Sequence, residues 1–153
     1  MNGTSKRLGR GFCWQELTVG AFGRTVTSAD INAFVGLAGM IEILFTNAEY
    51  RRNNSAIKGE PSPGALVFLI AEALSLNATS QEAGLAFRGL SSLDIKGPVQ
   101  AGDTLEVEIE ILDIRQESKG SRGLVRTQNI VRNQHGREVM IYKPLRLMMG
   151  RPE

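Results

Sequence analysis

Ser62-Pro63-Gly64-Ala65-Leu66-Val67-Phe68-Leu69-Ile70-Ala71-Glu72-Ala73-Leu74-Ser75-Leu76 is the stretch that decides the fold. It opens with helix-start chemistry. Ser62 can cap, and Pro63 suits the first helical position because its missing N–H would be unpaired there in any case. From Leu66 onward the residues are apolar almost all the way round, broken only by Glu72 and Ser75. A helix apolar on every side is buried on every side. It is too short to span a bilayer, which takes about 20 residues. The stretch is therefore expected to be a helix inside a globular domain, wrapped by the rest of the chain.

Downstream of this helix the chain reads as strands. Leu85, Phe87, Gly89, Ser91, Leu93 and Ile95 alternate with mostly polar neighbours until Gly97-Pro98 interrupts. Ala101-Gly102-Asp103 makes a turn. Leu105-Glu106-Val107-Glu108-Ile109-Glu110-Ile111 then alternates strictly, apolar in and carboxylate out. Leu112 breaks the phase, which predicts a bulge or strong bend. A second strand, Leu124 to Arg132, and a third, Glu138 to Met149, flank a hairpin turn at 133–137. Pro144 inside the last strand argues for an edge or kinked position, because it has no N–H to give to a ladder.

Upstream of the helix the chain is shorter and more helical. A first strand is expected around residues 22–26. Thr27-Ser28-Ala29-Asp30 resembles a capping box and starts a helix that Gly39 should end. Met40-Ile41-Glu42-Ile43-Leu44-Phe45 is an apolar run with one carboxylate, read as a short strand or loop. Thr46-Asn47-Ala48-Glu49 is a second capping box, opening a short helix through Tyr50 and Arg52. One buried helix followed by a long antiparallel meander gives an α+β protein of the hot-dog class, a curved antiparallel sheet wrapped around one buried central helix. A single copy leaves sheet edge and helix face uncovered, so a homodimer, or a heterodimer of like folds, is expected.

The 153 residues suffice for one domain. Residues 14–150 are assigned to it. Residues 1–13, polar and basic with glycines at 3, 9 and 11, are read as a mobile tail. Net charge is +2, from 18 basic and 16 acidic side chains. That balance, with no basic run interleaved with aromatics, gives no reason to expect nucleic acid as a partner. Nor is a membrane expected. Cys13 is the single cysteine, so an intramolecular disulfide is impossible and a zinc cluster is not expected. No metal or other cofactor is called for. With no secretory apolar region near the N-terminus, a cytoplasmic setting is the default.

Four stretches, in order, resemble the MaoC-like (R)-specific enoyl-CoA hydratase/dehydratase family. They are Phe22-Gly23-Arg24-Thr25-Val26-Thr27-Ser28-Ala29-Asp30-Ile31, Pro61-Ser62-Pro63-Gly64-Ala65-Leu66, Ile95-Lys96-Gly97-Pro98-Val99-Gln100-Ala101-Gly102-Asp103-Thr104-Leu105, and Arg132-Asn133-Gln134-His135-Gly136-Arg137-Glu138-Val139. The third is the most specific. The resemblance implies a ligand, an acyl-CoA or acyl-carrier thioester, and a lyase chemistry. In the family an Asp and a His, five residues apart just after the first helix, hold a water and exchange a proton with the substrate's alpha carbon, which is general acid–base catalysis. A backbone N–H at the start of the buried helix stabilises the thioester oxygen.

Carried onto this chain, the family's Asp falls on Met40 and its His on Phe45, and neither carries a proton. No histidine lies between Met1 and Gln134, and the one present, His135, sits in the expected hairpin turn. The helix start survives as Pro63, Gly64 and Ala65, the expected substrate-binding residues. Two carboxylates are candidate catalytic groups. Glu42 lies two residues from the family's Asp position, and a buried carboxylate can act as a base. Glu72 follows Gly64 by eight residues, an offset at which some hot-dog thioesterases resemble this chain. The resulting expectation is a hydratase-family domain that acts on or binds enoyl-CoA thioesters with a degenerate dyad. A non-catalytic subunit of a hot-dog heterodimer and a thioesterase using Glu72 are the alternatives.

Overall fold

Local capping chemistry sets the first elements. The computed structural model describes residues 6–8, 12–14, 23–79, 84–118 and 121–150. Strands β1 (Lys6–Leu8) and β2 (Phe12–Trp14) pair with each other antiparallel. The rest of the expected N-terminal tail lies outside the described residues. Strand β3 (Arg24–Thr25) leads to helix α1 (Ser28–Ala38), and Phe22 of the expected first strand also lies outside. At the start of α1 the Thr27 hydroxyl accepts from the Asp30 N–H at 3.1 Å, and Asp30 accepts from the Thr27 N–H at 2.9 Å, so the capping box forms as expected. Gly39 ends the helix in the left-handed conformation, φ 64°, which costs a residue without a Cβ little.

Two short helices come next. Met40–Phe45 does not become a strand. Its second half forms the single turn α2 (Ile43–Thr46). Helix α3 (Ala48–Asn54) starts one residue later than the sequence implied, with Asn47 rather than Thr46 as its cap, accepting from the Tyr50 N–H at 2.9 Å.

Helix α4 (Gly64–Thr79) packs against a curled, five-stranded antiparallel sheet. Its strands are β3, β4 (Gly84–Ile95), β5 (Thr104–Gln116), β6 (Arg122–Arg132) and β7 (Glu138–Met149), in the spatial order β3-β5-β6-β7-β4. This is the hot-dog fold. The core joins Leu66, Val67, Ile70 and Ala71 of α4 to Leu105, Val107, Val131, Val139, Met140 and Tyr142 of the sheet, with Val26 and Ile31 closing one end. Each such aliphatic side chain contributes roughly 1.5–3 kcal/mol by leaving water. The phase break at Leu112 is a true register shift, between Ile111 and Asp113.

Two expectations need correction. Pro144 is not on an edge: β7 lies between β6 and β4. The β6–β7 pairing instead breaks between Arg126–Leu145 and Asn129–Tyr142, around the residue that lacks an N–H. Helix α4 is not wrapped on every side either. Leu69 is 57% exposed and Leu76 40% exposed. The sheet of one chain covers one face of the helix, and β4 at its edge is itself largely exposed.

The four stretches that carry the family resemblance converge on the turn before β5. Val26 exchanges two backbone bonds with it, Val26 N–H to Asp103 and Gly102 N–H to Val26, both 2.8 Å. Ser62 N–H donates to Val99 at 2.7 Å, and Ala101 N–H to Glu60 at 2.9 Å. From the hairpin, Gln134 donates to Asp103 at 3.0 Å and accepts from the Thr104 N–H at 2.9 Å. Gly102, at φ 98°, makes this turn possible. The turn therefore fixes where α4 begins.

Candidate functional site

The start of α4 is built by that turn. Pro63 occupies the position before the first helical residue, and its carbonyl accepts from the Leu66 and Val67 N–H groups at 3.0 and 3.2 Å. The N–H groups of Gly64 and Ala65 come before the first helical bond and have no acceptor within the helix. They lie at the positive end of the helix dipole. Ser62 does not cap: its hydroxyl lies 3.4 Å from the Pro63 carbonyl. Pro63 is buried, Gly64 half-buried and Ala65 exposed. A Cβ on Gly64 would come within 2.6 Å of Ile95 Cδ1, so glycine here lets the third stretch press against the helix start.

The segment after α1 offers no acid or base at the two positions that the resemblance makes catalytic. Met40 and Phe45 are half-buried. Glu42 is exposed, at the position preceding α2, where its carbonyl accepts from the Phe45 N–H at 3.0 Å. The burial that could have made it a base is absent. Ile41 beside it is 91% exposed, so this segment turns apolar side chains outward. His135 is an exposed turn residue, as expected.

Glu72 is placed differently. It lies eight residues from Gly64, roughly 12 Å along the helix axis at 1.5 Å per residue. Its carboxylate accepts from Arg146 Nη2 at 2.5 Å, and both side chains are largely buried, at 15% and 9% exposure. Beneath them runs a buried polar chain. Thr127 donates to Asn129 Oδ1 at 2.7 Å. Asn129 Nδ2 donates to Ser75 Oγ at 3.0 Å and to Tyr142 Oη at 2.9 Å. Ser75 donates to the Ala71 carbonyl at 2.8 Å and lies 3.1 Å from Tyr142 Oη. Burial, then the negative charge of Glu72, pushes the Tyr142 phenol well above its ordinary value, so it stays a neutral hydroxyl. A cavity of about 380 Å³ opens beside Glu72 and Arg146.

A family model described as FAS1-like, dehydratase domain region, matches residues 63–142, more than half of the chain. The chain belongs to the FAS1-like dehydratase family. The match starts at the helix-start proline and ends at Tyr142, so it spans α4, the turn before β5 and the buried polar chain. Among solved structures, a monoamine oxidase regulatory protein from Archaeoglobus fulgidus is 25% identical, over 88% of this chain and 89% of that one, with a TM-score of 0.74. A MaoC-like dehydratase from Rhodospirillum rubrum is 26% identical, over 89% and 92%, with a TM-score of 0.72. A Mycobacterium tuberculosis protein with a double hotdog fold is 20% identical, over 95% of this chain and 44% of that one, with a TM-score of 0.68, a likeness of fold. No curated protein matches the chain.

In this member of the FAS1-like dehydratase family, the structure does not bring the sequence-derived candidates into one site. Gly64 and Ala65 sit at one end of α4, Glu72 is two turns away against Arg146, and Glu42 is outside the core. Sequence reasoning missed Arg146, Asn129 and Thr127. Their signal lies in strand phase. Thr127 and Asn129 alternate with Val125 and Val131 on the buried side of β6, and Arg146 alternates with Tyr142 and Met148 on β7. Polar residues in the buried phase of a strand require partners.

Proposed function

We propose that this chain binds an acyl thioester, on coenzyme A or an acyl carrier, at the start of α4, and that it pairs with a second hot-dog subunit without hydratase turnover of its own. The reading rests on one helix start taken together with one altered segment. Among the described residues the Gly64 and Ala65 N–H groups have no hydrogen-bond acceptor, while Met40 and Phe45 stand where the resemblance to the MaoC-like hydratases puts the two proton carriers. The helix start binds through backbone geometry, which side-chain replacement elsewhere leaves intact. Proton transfer has no such backbone substitute, and a general acid or base contributes about 100- to 10,000-fold.

Pairing is supported by apolar surface left open along one side of the fold. Leu69 of α4 is exposed, as are Phe87, Leu90, Leu93 and Ile95 of β4, which forms a sheet edge. The β4–β7 ladder is regular from Ser92 to Ile95, after three register shifts closer to Gly84. That regular stretch could accept a strand from another hot-dog chain. The thioesterase alternative is weakened by Arg146, because a carboxylate held in a buried ion pair is committed to that partner.

Restoration tests the reading. The purified chain is expected to hydrate crotonyl-CoA at or near background. Met40→Asp with Phe45→His, together with Glu42→Asn and Ile43→Pro to rebuild the loop, is expected to raise hydration by at least tenfold. Strong activity in the wild-type chain, abolished by Glu42→Gln, would refute the reading by showing that the base had moved two residues.

A further inference from the structure

The cavity beside Glu72 lies between the second half of α4, the start of β4 and the end of β7. Its walls include Leu76, Leu85, Phe87 and Leu147, and its polar part is Glu72 with Arg146. It is separated from the helix-start N–H groups by about two turns of α4, so it does not depend on the thioester reading. At about 380 Å³ it falls within the range of small-molecule sites, ~300–1,000 Å³.

Arg146 is the unusual group. Its side chain is 9% exposed, and among the described residues only Nη2 has a hydrogen-bond partner, Glu72. Nε is buried with none. A buried guanidinium normally uses most of its five N–H donors, because each unpaired one forfeits hydration. The Glu72 carboxylate cancels its charge, and because Nε is closed off from the cavity, the donor left for a ligand is Nη1, which has no partner among the described residues and is not buried. A ligand carboxylate would bring a second negative charge beside Glu72, and a ligand cation would face the guanidinium. The geometry points to a binding site for a neutral, carbonyl-bearing amphiphile, such as a medium-chain amide or ester, whose oxygen accepts from Arg146 while its hydrocarbon lies against Leu76, Leu85 and Phe87.

Calorimetric titration of the full chain with octanamide and, separately, with octanoate tests this. Octanamide is expected to bind saturably and at least tenfold more tightly than octanoate. Leu76→Trp, which enlarges an apolar wall residue one helix turn from Glu72, is expected to weaken octanamide at least tenfold. Arg146→Lys, which keeps the charge and loses the planar fork, is expected to do the same. Should a variant fail to fold, amide shifts of the ¹⁵N-labelled wild-type chain replace it, and octanamide is expected to move the signals of Leu85, Phe87 and Leu147. No saturable binding, equal binding of octanoate, undiminished binding to Leu76→Trp or Arg146→Lys, or shifts confined to other residues would each overturn the assignment.

Discussion

Glu72 and Arg146 carry the largest electrostatic stake of any two side chains described. Alone, a carboxylate on an apolar helix facing the sheet would be costly. Opposite Arg146 it is matched in charge and hydrogen-bonded. Breaking such a pair from one side strands the other charge, a loss of about 3–5 kcal/mol, whereas replacing both with apolar groups of similar size is often neutral. Arg146→Met is therefore expected to lower unfolding stability by that amount in urea titrations, and Glu72→Leu with Arg146→Met to recover most of it. A double variant as unstable as the single one would show that the pair does more than neutralise itself. At this scale the sequence placed Glu72 on the helix expected to be buried and marked its carboxylate as a candidate. It did not identify the compensating residue, because the partner is 74 positions away and only strand register brings the two together.

Among the elements, α1 is the one whose ends are written most plainly in sequence, since capping is a local interaction. The box at Thr27 satisfies N–H groups that the helix cannot, and Thr27→Ala is expected to cost about 1 kcal/mol. The same box creates a pH dependence. The Thr27 N–H, its hydroxyl and the neighbouring Arg24 hold the Asp30 carboxyl below its ordinary value of 3.8. A carboxyl lowered in the folded state stabilises fully above its unfolded value, and that contribution is lost as pH falls through the folded value. Asp30→Asn is thus expected to flatten the acid limb of stability below about pH 4, read as a smaller change in melting temperature between pH 5 and pH 3 than in the wild type. Helix α2 was not legible in the same way. Ile43–Thr46 has no side-chain cap at its start, and an apolar run of that length fits a strand or a helix equally well by periodicity.

For the whole molecule, the exposed face of α4 and the edge strand β4 set the expectation. Apolar side chains at Leu69 and Leu93 lie open in the single chain, and pairing would remove them from water. The wild-type chain is expected to be a dimer at micromolar concentration by light scattering, with the sheet continuous across the two-fold. Leu69→Lys with Leu93→Lys is expected to shift it to monomer, since two buried, unpaired cations per subunit oppose association. A monodisperse wild-type monomer would refute the paired assembly.

The sequence by itself determined the order of the main elements around the central helix, the turn before β5 and the break in β5. Each of these rests on neighbours in the chain: alternation, capping residues, or the identity of a side chain at a motif position. Only the tertiary structure decided that α4 keeps an open face, that Glu42 lies outside while Glu72 is tied to Arg146, and that Ser75, Asn129 and Tyr142 share one hydrogen-bonded chain. The physical reason is that burial and pairing depend on which strand lies opposite which helix turn. That choice comes from the register of four antiparallel ladders, which residues distant in sequence set together.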